Sequence, residues 1–308
     1  MKKIIVVLVA LLSASLAFAQ GDLHLFDVDN KAGNISSITI EKALKENGFD
    51  IGLRSEMNKP FKIQFKQTDF KSFTLLTVYH TKLSRELVLM YPQAGAITPM
   101  GVGIYQRLHD DTLHVSILTS QTQAKILGIK NNEILQAIES DLVKVLKVAL
   151  PGANVRYSKD SLKEKRKLLT QYVLEMEDGD DPEETIEDLT MTLDGEFKTY
   201  GFIAAATADY NEVLTKGGSV ESPYHFYRTY SICKLEVIYT VAKLRPEASA
   251  FAPCTTMIYQ KKGSNDVVIG FPAVYNWMSS AIIDDKASQA VLLKAQKSFE
   301  SILSEVTE

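Results

Sequence analysis

Two rhythms of apolar positions run along this chain, and each occurs twice. The two-residue rhythm is cleanest at Leu113, Val115 and Ile117 and again at Val267, Ile269 and Phe271. That spacing predicts strands with one buried side and one open side. The second rhythm has steps of three and four. It places Leu135, Ile138, Leu142, Val145 and Ala149 on one stripe, and Leu292, Ala295, Phe299, Ile302 and Val306 on another. Each stripe predicts an amphipathic helix that buries its apolar face, most simply against a sheet.

Ahead of these elements the order also repeats. Short alternating segments at 23–28 and 172–176 predict strands. A helix then carries Ile40, Ala43 and Leu44 on one face and stops at Gly48. Its counterpart opens on Asp181-Pro182-Glu183-Glu184 and stops at Gly201. Aspartate as N-cap, proline in the first turn and acids near the positive end of the dipole are the expected start signals. Aromatic and β-branched residues over 73–79 and 224–239 predict further strands, and a short helix is expected over 83–90.

The sequence itself then repeats. Pro92-Gln-Ala-Gly-Ala-Ile-Thr-Pro99-Met-Gly-Val-Gly-Ile-Tyr-Gln106 returns without a gap as Pro246-Glu-Ala-Ser-Ala-Phe-Ala-Pro253-Cys-Thr-Thr-Met-Ile-Tyr-Gln260. A period this long is a whole domain rather than a solenoid unit. The expected fold is therefore α+β: two tandem copies of a strand-helix-strands-helix unit, each an antiparallel sheet covered on one face by helices. Residues 22–150 form the first copy, 151–169 a linker and 170–308 the second.

The stretch from Pro246 to Tyr259, with Pro253-Cys254 entering a strand, the Gly263-Ser264-Asn265 turn after it and the closing helix, resembles the family called domain of unknown function 302. The resemblance extends over both copies and implies an arrangement similar to the TATA-binding-protein fold. It implies no reaction, ligand or cofactor. The first copy departs at the key pair, with Pro99-Met100 in place of Pro253-Cys254.

Composition narrows the setting. Met1-Lys2-Lys3, an apolar run to Phe18 and Ala17-Phe18-Ala19 before Gln20 have the parts of a secretory signal peptide over residues 1–19, cleaved between Ala19 and Gln20. Its loss takes the formal charge from −4 to −6. The expected location is periplasmic or secreted, with no membrane span after cleavage. A mildly acidic chain lacks the basic face that nucleic acid requires.

Candidate chemistry is sparse. Cys233 and Cys254 are the two cysteines. In an oxidising compartment they could form a disulfide, or remain free thiols. Cys254 could also serve as a nucleophile or soft-metal ligand if its pKa is lowered. Gly101 and Gly103 strip one strand face of side chains, which marks either close packing or room for a ligand. With Tyr105 and their counterparts Pro253, Cys254 and Tyr259, they form the candidate ligand-binding set. The histidines show no metal-ligand spacing, and the acids over 175–188 lack calcium-loop order. No nucleophile elbow, phosphate loop, C-x-x-C or H-E-x-x-H is present. The function expected is an exported, non-catalytic protein that binds a small apolar or amphipathic ligand or a protein partner, with no cofactor, no metal and possible homo-oligomerisation. The alternative is a thiol-dependent enzyme or redox protein acting through Cys254.

Overall fold

The computed structural model describes residues 21–215 and 221–308; the expected signal peptide and its cleavage site at Ala19 and Gln20 lie outside them. In chain order the first half holds β1 (Leu23–Asp29), α1 (Ser37–Glu46), β2 (Phe49–Glu56), α2 (Asn58–Phe65), β3 (Phe70–His80) and α3 (Leu83–Met90). A 3-10 turn over Pro92–Ala96 leads to β4 (Met100–Arg107), β5 (Thr112–Leu118), α4 (Ser120–Leu127), α5 (Glu133–Ala149) and β6 (Asn154–Tyr157). The second half holds β7 (Leu169–Glu175), α6 (Pro182–Thr199), β8 (Ile203–Asp209), α7 (Tyr210–Thr215), β9 (Tyr224–Cys233) and α8 (Leu235–Leu244). A second 3-10 turn over Pro246–Phe251 precedes β10 (Cys254–Lys261), β11 (Asp266–Pro272), α9 (Tyr275–Ser280) and α10 (Lys286–Thr307).

The fold is mixed α+β with two antiparallel sheets, ordered β2-β3-β4-β5-β1-β6 and β7-β11-β10-β9-β8. Read from β8, the second order is the first one again without its last strand. Both Pro99 and Pro253 follow cis peptide bonds at equivalent places. Asp181 caps α6 by accepting from the amides of Glu183 and Glu184, and Gly48 and Gly201 take the positive φ that follows each early helix. The stripes of α5 and α10 are buried except at their last positions, Ala149 and Val306, which are half-buried.

Four expectations change. The segment read as a strand over 224–239 stops at Cys233, and Leu235–Leu244 is helical. Its buried positions Val237, Ile238, Val241 and Ala242 follow the helical period, which a run of β-branched and aromatic residues disguises. Part of the linker is strand β6, paired antiparallel with β1. The disulfide is absent, and both cysteines are free. Cys254 stands opposite Ile232 in the β9–β10 ladder, so Cys233 is one residue out of phase. The two cysteines are therefore not cross-strand partners: Cys254 pairs with Ile232, and Cys233 pairs with Ile203 on the other side of β9.

The fourth change concerns the open sheet face, which is closed by the other half. Ser116, beside Val115, is fully buried. A Cβ on Gly101 would lie 2.3 Å from the carbonyl oxygen of Ala250, and one on Gly103 would lie 1.9 Å from Ser249 Oγ. The second 3-10 turn thus rests directly on β4. Reciprocally, a Cβ on Gly95 in the first turn would lie 2.2 Å from the Tyr227 hydroxyl of β9. The bare face of β4 makes room for backbone from the second half, not for a ligand.

Candidate functional site

A cavity with an almost wholly apolar wall lies in the second half, between the sheet, α8, α9 and α10. Its volume is about 40 Å³. That exceeds the roughly 10–15 Å³ needed for one water and falls well short of the few hundred Å³ of a pocket for a drug-sized molecule. Each wall residue arrives by a local rule. Ile232 comes from the end of β9, Phe271 from the alternation of β11, and Leu292, Ala295 and Phe299 from the stripe of α10. Phe299 meets Phe271 at 4.3 Å between ring centres and Phe202 at 5.3 Å edge-on. Such contacts favour a rigid wall.

Pro253 and Cys254, expected from the repeat, stand in this wall, and so does Cys233. Burial pushes the Cys254 thiol up to about 12, against a small opposing effect from a hydrogen bond with the Trp277 side chain. Burial also pushes Cys233 up, and the neighbouring Cys254 adds to this. Both thiols therefore hold their protons at neutral pH, the reverse of an activated nucleophile.

Polar groups in the wall are few. Gln296 is fully engaged: its Oε1 accepts from the Val274 amide at 2.9 Å, and its Nε2 donates to Thr170 Oγ1 and Glu300 Oε1. Lys234 is the one charged side chain of the lining. Its Nζ donates to the Tyr200 carbonyl at 2.8 Å and sits 4.9 Å from the centre of the Phe202 ring.

The other expected residues lie elsewhere. Gly101, with Pro253 again, borders a second cavity of about 30 Å³ between the halves. Gln123 also borders it; the Gln123 Nε2 donates to the Leu118 carbonyl, and its buried Oε1 has no partner. Gly103 is covered by Ser249. Tyr105 stacks on His114 at 5.0 Å, and His114 is held between Asp27 at 2.7 Å and Asp110 at 3.1 Å. Tyr259 stacks on Tyr227 at 5.3 Å inside a buried cluster with Tyr224 and Tyr210.

Sequence reasoning missed Lys234, Phe202 and Trp277. Lys234 carried a weak signal, as one of two charged residues, with Glu236, inside the mostly apolar stretch Ile232 to Ile238. Among the described residues no group of three or more His, Cys, Asp or Glu side chains is placed to hold a metal. No helix among them is long and apolar enough to cross a membrane.

This geometry belongs to an α+β protein of two like sheets with an apolar cavity in the second half. Residues 178–306, the part that builds the cavity, match the family model described as domain of unknown function DUF302. A solved structure, an uncharacterized conserved DUF302 protein from Bacillus stearothermophilus, is similar at 20% identity, covering 45% of this chain and 98% of its own, with a TM-score of 0.35. No curated protein matches this chain.

Proposed function

We propose that this is an exported, non-catalytic binding protein, built of two tandem DUF302-like units in the TATA-binding-protein arrangement, whose second unit takes a small apolar or amphipathic molecule. The single observation behind the binding assignment is the 40 Å³ cavity, walled by Ile232, Phe271, Leu292 and Phe299 with the Lys234 ammonium beside it. Apolar walls with one oriented polar group suit a ligand whose tail is buried and whose head stays near water. The volume restricts that tail to a few heavy atoms. The raised thiol of Cys254 speaks against a nucleophilic role. The repeated strand order and the paired turns support the two-unit reading, and the basic start and A-x-A end of residues 1–19 support export.

Native mass spectrometry of the exported chain tests the binding assignment. A small molecule is expected to co-purify and to be lost from Ala295→Phe, which fills the cavity from α10. A bare chain, together with no response of the Trp277 emission to any alkyl probe, would overturn it. Export is tested by N-terminal sequencing, which should begin at Gln20.

A further inference from the structure

We propose that the ligand of this cavity is a short alkyl carboxylate, its tail between Phe271, Leu292 and Phe299 and its acid group held by Lys234. The proposal rests on the reading that the cavity is a binding site and adds the chemistry of the head group.

Three observations carry it. Lys234 is the one charged group in the wall, its Nζ donates to a backbone carbonyl, and among the described residues no carboxylate stands at ion-pair distance from it. A half-buried ammonium without a counter-charge is electrostatically costly, and an incoming carboxylate would remove that cost. Next, the charge near Lys234 is not balanced by its surroundings. Burial lowers its proton affinity, Lys294 on α10 adds to this, and Glu236 opposes it as the smallest of the three effects. An anion between α8 and α10 would be attracted by both lysines. Finally, the Lys234 Nζ lies beside Phe202, which is itself in the wall. A head bound at the ammonium therefore starts its tail at the apolar surface.

The other ligand classes fit less well. An alkyl cation would meet the Lys234 ammonium, with the charge of Lys294 adding to the repulsion. A neutral alcohol would leave Lys234 unpaired, and a bulky anion exceeds the volume. A short carboxylate answers both the charge and the size.

The full chain supplies its own probe, because Trp277 is its one tryptophan and lies in the cavity wall. Trp277 emission is followed during titration with butyrate, hexanoate and octanoate, with the alcohols of the same lengths, and with the matching alkyltrimethylammonium ions. A carboxylate is expected to bind about tenfold more tightly than its alcohol, and the cation not at all. Lys234→Met should erase the preference for carboxylate over the alcohol of the same length, and Lys234→Arg should keep it. Equal binding of alcohol and carboxylate, or a preference that survives Lys234→Met, would overturn the head-group assignment and leave the cavity as an apolar site. Absence of binding by every alkyl probe would overturn the binding reading as well. Lys234 is half-buried at a helix start, and the thermal midpoint of each variant checks that the fold is kept.

Discussion

The hydroxyl of Tyr227 receives the backbone N–H of Gly95 at 3.0 Å, although 132 residues separate them. The same hydroxyl donates to the Pro92 carbonyl, so one side chain of β9 satisfies both ends of the first 3-10 turn. Tyr227 is fully buried. Replacing it with phenylalanine would remove both of these hydrogen bonds, one at a buried amide and one at a half-buried carbonyl. The expected loss is about 1–3 kcal/mol of unfolding free energy, measured by urea denaturation of the whole chain.

Gly103 tests the matching contact on the other side. A methyl group there would overlap Ser249, with its Oγ 1.9 Å and its Cβ 2.7 Å away. Gly103→Ala is expected to cost about 1–3 kcal/mol, as overpacking does. Ser249→Gly, which restores the small residue found at Gly95 in the first turn, should recover part of that loss in the double variant. A simple sum of the two single effects would show that the residues do not touch.

Asp22 joins three parts of the chain, and its titration should be visible in stability. Burial alone would raise its carboxyl. Hydrogen bonds with Ser161 and Ser280, the Lys125 ammonium and a hydrogen bond with Thr122 together hold it below its ordinary value. A depressed carboxyl stabilises the fold above the pKa of the unfolded chain, and that contribution is lost as pH falls through the folded value. The denaturant midpoint should therefore drop more steeply from about pH 5 to pH 3 in the unaltered chain than in Asp22→Asn.

Both thiols should be countable and slow. Alkylation under denaturing conditions, without reductant, is expected to label Cys233 and Cys254, as befits free cysteines. In the native protein at pH 8 Cys254 should react well below the rate of a free cysteine, since burial pushes it up to about 12. Mass spectrometry of quenched time points reads both results.

What the sequence discloses and what it withholds divide along a physical line. Strand and helix periods are local, so β5, β11, α5 and α10 are legible from Leu113, Val267 and the stripes that follow them. The strand over 224–239 fails at Cys233 because Ile232, Val237 and Ile238 suit a strand as well as a helix. Pro253 and Cys254 were reachable because a repeated motif points at them. Lys234, Phe202 and Trp277 meet only through the packing of α8, α9 and α10 around the sheet, and no spacing announces that meeting. Nor does any pattern in the chain disclose that Gly101 and Gly103 are bare on account of Ala250 and Ser249.

The mutual cover of β4 and β9 by the two crossing turns also bears on how such a chain can evolve. As separate polypeptides, the halves would meet only as often as their concentrations allowed, and each turn would have to suit an identical copy of itself. Joined end to end, they meet at the effective concentration of a tether, and the two seams are free to diverge. The asymmetry is already written in them: glycine over a tyrosine hydroxyl at Gly95, serine over a bare strand at Ser249. The seams are alike in place and unlike in chemistry, as are the pairs Pro99-Met100 and Pro253-Cys254 that follow them.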